Sequence, residues 1–216
     1  MTESTRLHYP DTGVGVLRAK PARHHFDRVS VKVVRTLDDL QKVFAVRAAV
    51  FLAEQDCPFD EEYDGNDLAG LHLLGLIDNE PVATLRLRWF SSFGKVERVC
   101  ILTRARGRFL DRIMLAHAFE IAAIKGYRLM IGQIQARLWR LWSRVLVCKL
   151  REDRPNFSFS GYDYLEIDIP VPAHSSAITP YTDPYVMIRP EGAWNVPGVL
   201  EATTNQSVRR KIGKAA

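Results

Sequence analysis

The segment LHLLGLIDNEPVATLRLRW, residues 71–89, constrains the fold more than any other part of the chain. Its first part, LHLLGLI, is an apolar run typical of a buried strand. Its last part, VATLRLRW, alternates apolar residues with Arg86 and Arg88, which is the two-residue period of a strand. The DNEP between them favours a tight turn. The segment therefore predicts a β-hairpin with strands at 71–77 and 82–89.

The segments on both sides of this hairpin predict a mixed sheet with helices on its faces. Thr36 and Asp39 form a weak capping box that opens one helix, and Gly126 is a natural end for another. The order β-α-β-β-β-α-β-α-β indicates the α/β or α+β class. The predicted strands are 29–34, 71–77, 82–89, 95–102, 127–134 and 162–169, and the predicted helices are 37–51, 109–125 and 136–150.

The length of 216 residues suits one domain with tails. We expect an N-terminal arm at 1–28, a single domain at 29–170, and a proline-rich extension at 171–216 that wraps the domain and ends in a basic tail. The aromatic residues of this extension could cover an acceptor pocket, an acyl pocket or a homodimer interface, and the sequence leaves the three open.

Composition and charge narrow the class of protein. The net charge of +5 favours anionic ligands, whether phosphate, an acidic carrier protein or nucleic acid. The sequence has three cysteines and no CxxC pair, which predicts reduced thiols. It shows no signal peptide and no apolar stretch of roughly 18 residues, so we expect a cytoplasmic protein without a membrane span. No set of residues predicts a metal site. Arginines beside Trp139 and Trp142 form the basic face of an amphipathic helix, which could receive a carrier protein, and no nucleic-acid motif accompanies them.

Three consecutive segments carry a family resemblance: VRAAVFLAEQDCPFDEEYDGNDLAGLHLLG (46–75), the hairpin after it, and KVERVCILTRARG (95–107). Together they resemble the GNAT superfamily of N-acyltransferases over residues 30–170, in particular a bacterial acetyltransferase-like branch with VFxxEQxCP and DGxD motifs. The resemblance implies transfer of an acyl group, acetyl first, from acyl-CoA to the primary amine of a small molecule, without a metal.

The resemblance also implies where the acyl donor binds. The thioester would lie between splayed parallel strands at 95–102 and 127–134, with the pantetheine arm along Val99, Cys100 and Ile101. The family's pyrophosphate turn, [QR]-G-x-G-x-[GA], corresponds to RGRFLD, in which two larger residues replace the later small ones. The turn residues are Arg106, Gly107, Arg108, Phe109, Leu110 and Asp111.

Three interpretations of this altered turn stay open. Its arginines could replace lost backbone contacts to the pyrophosphate. The donor could instead be an acyl-carrier protein, because Glu62, Asp64 and Asp67 fit an E-x-D-x-x-D pattern that resembles the acyl-homoserine-lactone synthases, although their E-x-x-R motif is missing. The segment could also be a solvated, arginine-rich turn without a ligand, which together with the missing tyrosine would favour a non-catalytic GNAT-fold binding protein.

The catalytic candidates follow from what acyl transfer to an amine requires. Glu97 is positioned on its strand to act as the general base, or else forms an ion pair with an arginine of a neighbouring strand. His72 is a second candidate base, or a strand histidine with satisfied hydrogen bonds. The family's tyrosine acid is missing from the helix at 136–150, so Cys148 is a possible substitute, or a buried structural cysteine.

An anionic site for the acceptor amine is a further expectation. The resemblance and the acidic loop point to a substrate-binding set, whose alternative is a solvated acidic loop. The set is Arg47, Glu54, Asp64, Asp67 and Arg86.

Overall fold

A computed structural model describes residues 29–107, 109–155 and 157–203. The predicted N-terminal arm at 1–28, Arg108 of the turn and the end of the basic tail at 204–216 lie outside the described residues. The described chain falls into two compact units that divide between Ser175 and Ser176. A domain boundary at residue 170 and a wrapping extension stay predictions.

The first unit is an eight-stranded mixed sheet with helices, as the sequence predicts. The strand order is β1-β2-β3-β4-β5-β8-β6, and β7 also pairs with β8. The strands are β1 (Val29–Val33), β2 (Leu71–Ile77), β3 (Glu80–Trp89), β4 (Gly94–Ile101), β5 (Leu129–Gln135), β6 (Lys149–Leu150), β7 (Phe157–Phe159) and β8 (Tyr162–Pro170). The helices are α1 (Leu37–Arg47), α2 (Phe59–Glu62), α3 (Leu110–Ile124) and α4 (Trp139–Val145). A π-helical turn at Ala48–Leu52 and 3₁₀ turns at Thr103–Ala105 and Ala136–Leu138 adjoin them.

The hairpin and the start of the first helix form as predicted, but α1 ends at Arg47 and the remainder of the predicted span is π-helical. Asp78 and Asn79 both have positive φ, 52° and 67°, as the two central residues of a tight turn between β2 and β3 require. The Thr36 side chain accepts a hydrogen bond from the backbone N–H of Asp39 at 3.2 Å, which caps α1. Local sequence patterns determine both features.

The predicted helix at 136–150 is wrong in its second half. Helix α4 ends at Val145, and the next residue, Leu146, is extended. Lys149 and Leu150 then pair with Asp168 and Ile167 of β8. Strand pairing with a distant segment therefore overrides the local helical pattern. Strand β7 and the short helix α2 were likewise not predicted.

The two central parallel strands separate after three residue pairs. β4 and β5 pair from Gly94↔Met130 to Val96↔Gly132, and no further pairs join them along the described residues. A β-bulge between β3 and β4 lies just beyond this point, because one residue, Leu85, faces the two residues Arg98 and Val99. The diverging strands leave an opening in the middle of the sheet.

Within the described residues of the second unit, a short helix, α5 (Pro184–Met187), is capped by the side chain of Asp183, and residues 199–203 are also helical. Arg189 forms an ion pair with Glu201 at 2.7 Å within the same unit. No helix in the described part of the chain is long and apolar enough to cross a membrane.

Candidate active site

A cavity of about 860 Å³ lies where β4 and β5 diverge. The edges of both strands, the start of α3, helix α4 and strand β8 line it. Apolar side chains of α4 and β8, including Leu141, Trp142 and Ile167, form one wall. A cleft of this size and mixed lining can hold a ligand that has an apolar arm and polar groups at its ends.

The predicted pantetheine-contacting residues lie along this cleft. Val99, Cys100 and Ile101 all line the cavity. On one side Cys100 and Ile101 pair with β3, but toward β5 the strand has no partner after Val96 within the described residues. The backbone N–H and C=O groups on that edge can therefore bind a ligand. The thiol of Cys100 is buried, which raises its pKa, so it is not a nucleophile.

The turn between β4 and α3 has the geometry of an anion site despite its larger residues. Gly107 has φ 76°, and, its two chain neighbours aside, no described residue has an atom within 4 Å of the position that a Cβ would occupy. Phe109, at the position where the motif that the turn resembles has glycine, adopts the left-handed conformation with φ 58°. Among the described residues, no side chain caps the N-terminus of α3, and N–H groups in the first turn of a helix lack intrahelical partners.

Side chains around the turn determine its charge. The guanidinium of Arg112 lies over the ring of Phe109 at 5.2 Å from the ring centre. Asp111 lies in the first turn of α3 and lines the cavity, and Leu110 is fully buried in the core. Arg106 pairs with Glu54, with 2.6 Å between Nη1 and Oε1, and donates from Nε to the Ile101 carbonyl at 3.0 Å. Both side chains of the Arg106–Glu54 pair are more than a third exposed, so a ligand anion can compete for this arginine.

The other predicted substrate-binding residues form a buried ion network. Arg47 is inaccessible to solvent and pairs with Glu62 and Asp67. Arg86, also inaccessible, pairs with Asp64 at 2.6 Å and with Asp67 at 2.7 Å. These arginines hold the pKa of Asp67 and Asp64 below the usual range, although burial acts in the opposite direction.

Charge in this network is balanced. Four cations, including Arg98 and Lys95 at its edge, are joined to four carboxylates at separations of 3.2 Å or less. The network links α1, α2, β3 and β4 just behind the bulge. Its carboxylates are thus occupied by arginine and lysine, which leaves it no excess negative charge for an acceptor amine.

Glu97 belongs to this network rather than standing alone in the cleft. It lines the cavity, but its Oε1 accepts from Arg86 Nε at 2.9 Å and its Oε2 lies 2.9 Å from Lys95 Nζ. This is the ion pair with a neighbouring-strand arginine that the sequence left as the alternative. A role for Glu97 as the base stays a prediction.

The two remaining catalytic candidates lie outside the cavity lining. His72 is buried, its Nε2–H donates to the Asp67 carbonyl at 2.9 Å, and burial lowers its pKa. Cys148 follows α4 and borders a separate hollow with Trp139 and Arg151. The structure therefore does not bring His72 and Cys148 together with Glu97 around one reacting centre.

Sequence reasoning missed Tyr164, which reaches the cavity from β8. Burial raises the pKa of its phenol, and Gln135 Nε2 donates to the hydroxyl at 3.4 Å. The phenol is therefore protonated at neutral pH and can donate its proton. The family resemblance predicts the tyrosine on the helix after β5, whereas Tyr164 lies on the strand paired with β5.

No residues suited to a metal emerge from the described ranges, in which no group of three His, Cys, Asp or Glu could hold an ion.

A Bacillus subtilis protein described as a putative acetyltransferase is 37% identical to this chain over 114 residues, which are 50% of this chain and 77% of that protein. The chain belongs to the GNAT superfamily of acyltransferases.

Solved structures agree with this assignment at the level of the fold. The GNAT chain matches an acyl-CoA N-acyltransferase from Pseudomonas aeruginosa with a TM-score of 0.56 and 22% identity, over 65% of this chain and 97% of the other. It also matches BjaI, a CoA-dependent acyl-homoserine lactone synthase, with a TM-score of 0.56 and 12% identity, over 67% and 84% of the two chains. No family model matches the chain.

Proposed function

We propose that this GNAT protein transfers an acyl group, acetyl first, from acyl-CoA to the primary amine of a small molecule. The observation that carries the proposal is the cleft between β4 and β5, which ends at the uncapped N-terminus of α3. An unpaired strand edge suits an amide-bearing pantetheine arm, and a free helix N-terminus suits a pyrophosphate.

The residues at the turn fit the phosphate end of acyl-CoA. Open space beside Gly107 admits close approach, and Arg106 and Arg112 add positive charge next to the helix N-terminus. The ring of Phe109 packs against the guanidinium of Arg112 at this end of the cleft. The negative charge of Asp111 opposes an anion and weakens the site.

The thioester supplied by acyl-CoA reacts in the centre of the cleft. Backbone N–H groups on the free edge of β4 polarise its carbonyl. The amine nitrogen forms a bond to the carbonyl carbon and releases one proton to solvent, the C–S bond breaks, and the electron pair stays on sulfur. The phenol of Tyr164, kept neutral by burial, donates a proton to that sulfur and is reprotonated from water.

Replacing Tyr164 by phenylalanine tests this assignment. A positioned general acid contributes about 10²- to 10⁴-fold, so we expect Tyr164→Phe to lower kcat by that factor while the affinity for CoA stays within about twofold of the wild type. The assay measures acyl transfer from acetyl-CoA by the amount of free CoA thiol that the reaction releases.

Tyr162→Phe is the matched control, because it removes the same hydroxyl two residues earlier on β8. Tyr162 is not part of the cavity lining, and phenylalanine keeps the ring on which Arg137 stacks at 4.8 Å. If both variants retain wild-type turnover, Tyr164 is not the acid.

If wild-type protein binds pantetheine as tightly as CoA, a carrier-protein donor replaces acyl-CoA in the proposal.

A further inference from the structure

The cavity contains a carboxylate that the network does not neutralise. Five acidic side chains line the cavity, and three of them form the ion pairs described above, while Asp111 lies at the start of α3. Glu61 of α2 differs, because no arginine, lysine or histidine pairs with it among the described residues. Unlike its neighbour Glu62, it lines the cleft without an ion-pair partner among the described residues.

The carboxylate of Glu61 is held in a fixed position. Its Oε2 accepts from the backbone N–H of Ser160 at 3.0 Å and from the Ser160 hydroxyl at 2.8 Å. Ser160 lies in the turn between β7 and β8, with φ 51°. Within the described ranges, Oε1 has no hydrogen-bonding partner. One oxygen therefore positions the carboxylate, and the other is free to bind a ligand.

The strands that flank Ser160 supply an aromatic wall beside this carboxylate. Phe157, Phe159 and Tyr164 all line the cavity. Phe157 stacks on Tyr164, with 5.6 Å between ring centres, and Phe159 meets Tyr164 edge-on at 5.8 Å. Ring faces attract cations and also pack against apolar skeletons.

Glu61 also lies close to the bulge of β4. Arg98, one of the two bulge residues, donates from Nη2 to the Glu61 carbonyl at 2.7 Å, and its guanidinium lies 5.4 Å from the centre of the Phe159 ring. The carboxylate and the aromatic wall are thus adjacent to the strand edge on which the acyl carbonyl is expected to lie.

We propose that Glu61 and the aromatic wall bind the acceptor, and that the acceptor is a cationic primary amine on an aromatic or apolar skeleton. The inference rests on the proposed acyl transfer and names its acceptor class. Glu61 Oε1 accepts from the ammonium group, while Phe157 and Phe159 pack against the skeleton. The ammonium loses one proton to solvent before its nitrogen attacks, in addition to the proton released when the C–N bond forms. The balanced ion network contributes no binding charge, so Glu61 selects cationic amines.

Binding to the CoA-saturated protein tests the proposal without requiring turnover. We expect 2-phenylethylamine to bind more tightly than n-propylamine, by about tenfold, because it buries a ring against the wall. We also expect 2-phenylethanol, which lacks the positive charge, to bind about tenfold more weakly than 2-phenylethylamine. This comparison uses wild-type protein alone, so it does not depend on any variant folding.

Glu61→Gln should remove the preference for the amine over the alcohol while leaving CoA affinity unchanged. Asp60→Asn is the matched control, since Asp60 is the adjacent residue of α2, is exposed and is not part of the cavity lining. The proposal would be overturned if wild-type protein bound the amine and the alcohol equally well, or bound neither. It would also be overturned if Glu61→Gln kept the wild-type preference for the amine. Failure of CoA itself to bind would instead count against the proposed function.

Discussion

Arg86 offers the sharpest test of whether the buried ion network stabilises the fold or binds substrate. Its side chain is inaccessible to solvent and makes three kinds of contact: Nε to Glu97 at 2.9 Å, Nη1 to Asp67 at 2.7 Å and Nη2 to Asp64 at 2.6 Å. In Arg86→Met, each carboxylate keeps at least one other cation, but the groups joined within 3.2 Å change from balanced to one excess negative charge. Removing one partner from a buried charge cluster costs about 3–5 kcal/mol.

Urea denaturation measures this cost directly. We expect Arg86→Met to lower the free energy of unfolding by about 3–5 kcal/mol with an unchanged dependence on urea concentration. Arg88→Met is the matched control on the same strand, because Arg88 is partly exposed and lies 3.9 Å from Glu97, so it should cost at most about 1 kcal/mol. A loss below about 1 kcal/mol in Arg86→Met, together with weaker amine binding, would refute a structural role and restore the substrate-binding interpretation.

Two further predictions concern the turn and the buried histidines. Phe109→Gly should stabilise the protein by roughly 1 kcal/mol, because glycine adopts the left-handed conformation without strain. The same change should tighten CoA binding in calorimetry, and weaker binding would show that the Phe109 ring is part of the site. Burial lowers the pKa of His72 and His117, so below about pH 6.5 the unfolded chain binds protons that the native state does not. The free energy of unfolding should therefore fall as the pH drops from about 6.5 toward 5. A urea midpoint that is constant over that range would contradict this.

Features set by neighbouring residues could be predicted from the sequence, and features set by distant contacts could not. The Asp78–Asn79 turn and the Thr36 cap depend on residues within four positions of each other, and both form as expected. The end of α4 depends on the pairing of Lys149 with Asp168 of β8, which no local pattern reveals.

The candidate site shows the same limit. Arg86 and Arg98 lie 22 and 34 positions from Asp64, with which both form ion pairs, so the sequence showed the charges without their partners. The role of Tyr164 could not be predicted from the sequence, because its position opposite Gln135 depends on the pairing of β5 with β8. Glu61 looked like one more residue of an acidic loop, and only its contact with Ser160, 99 positions away, distinguishes it.

Calorimetric titration with CoA and with free pantetheine tests most directly whether the cleft between β4 and β5 is an acyl-CoA site. The uncapped N-terminus of α3 and Arg106 should make CoA bind about 100-fold more tightly, equivalent to about 2.7 kcal/mol, and Arg106→Ala should reduce that difference. Equal affinities for CoA and pantetheine would contradict an intact pyrophosphate site in the turn that contains Phe109.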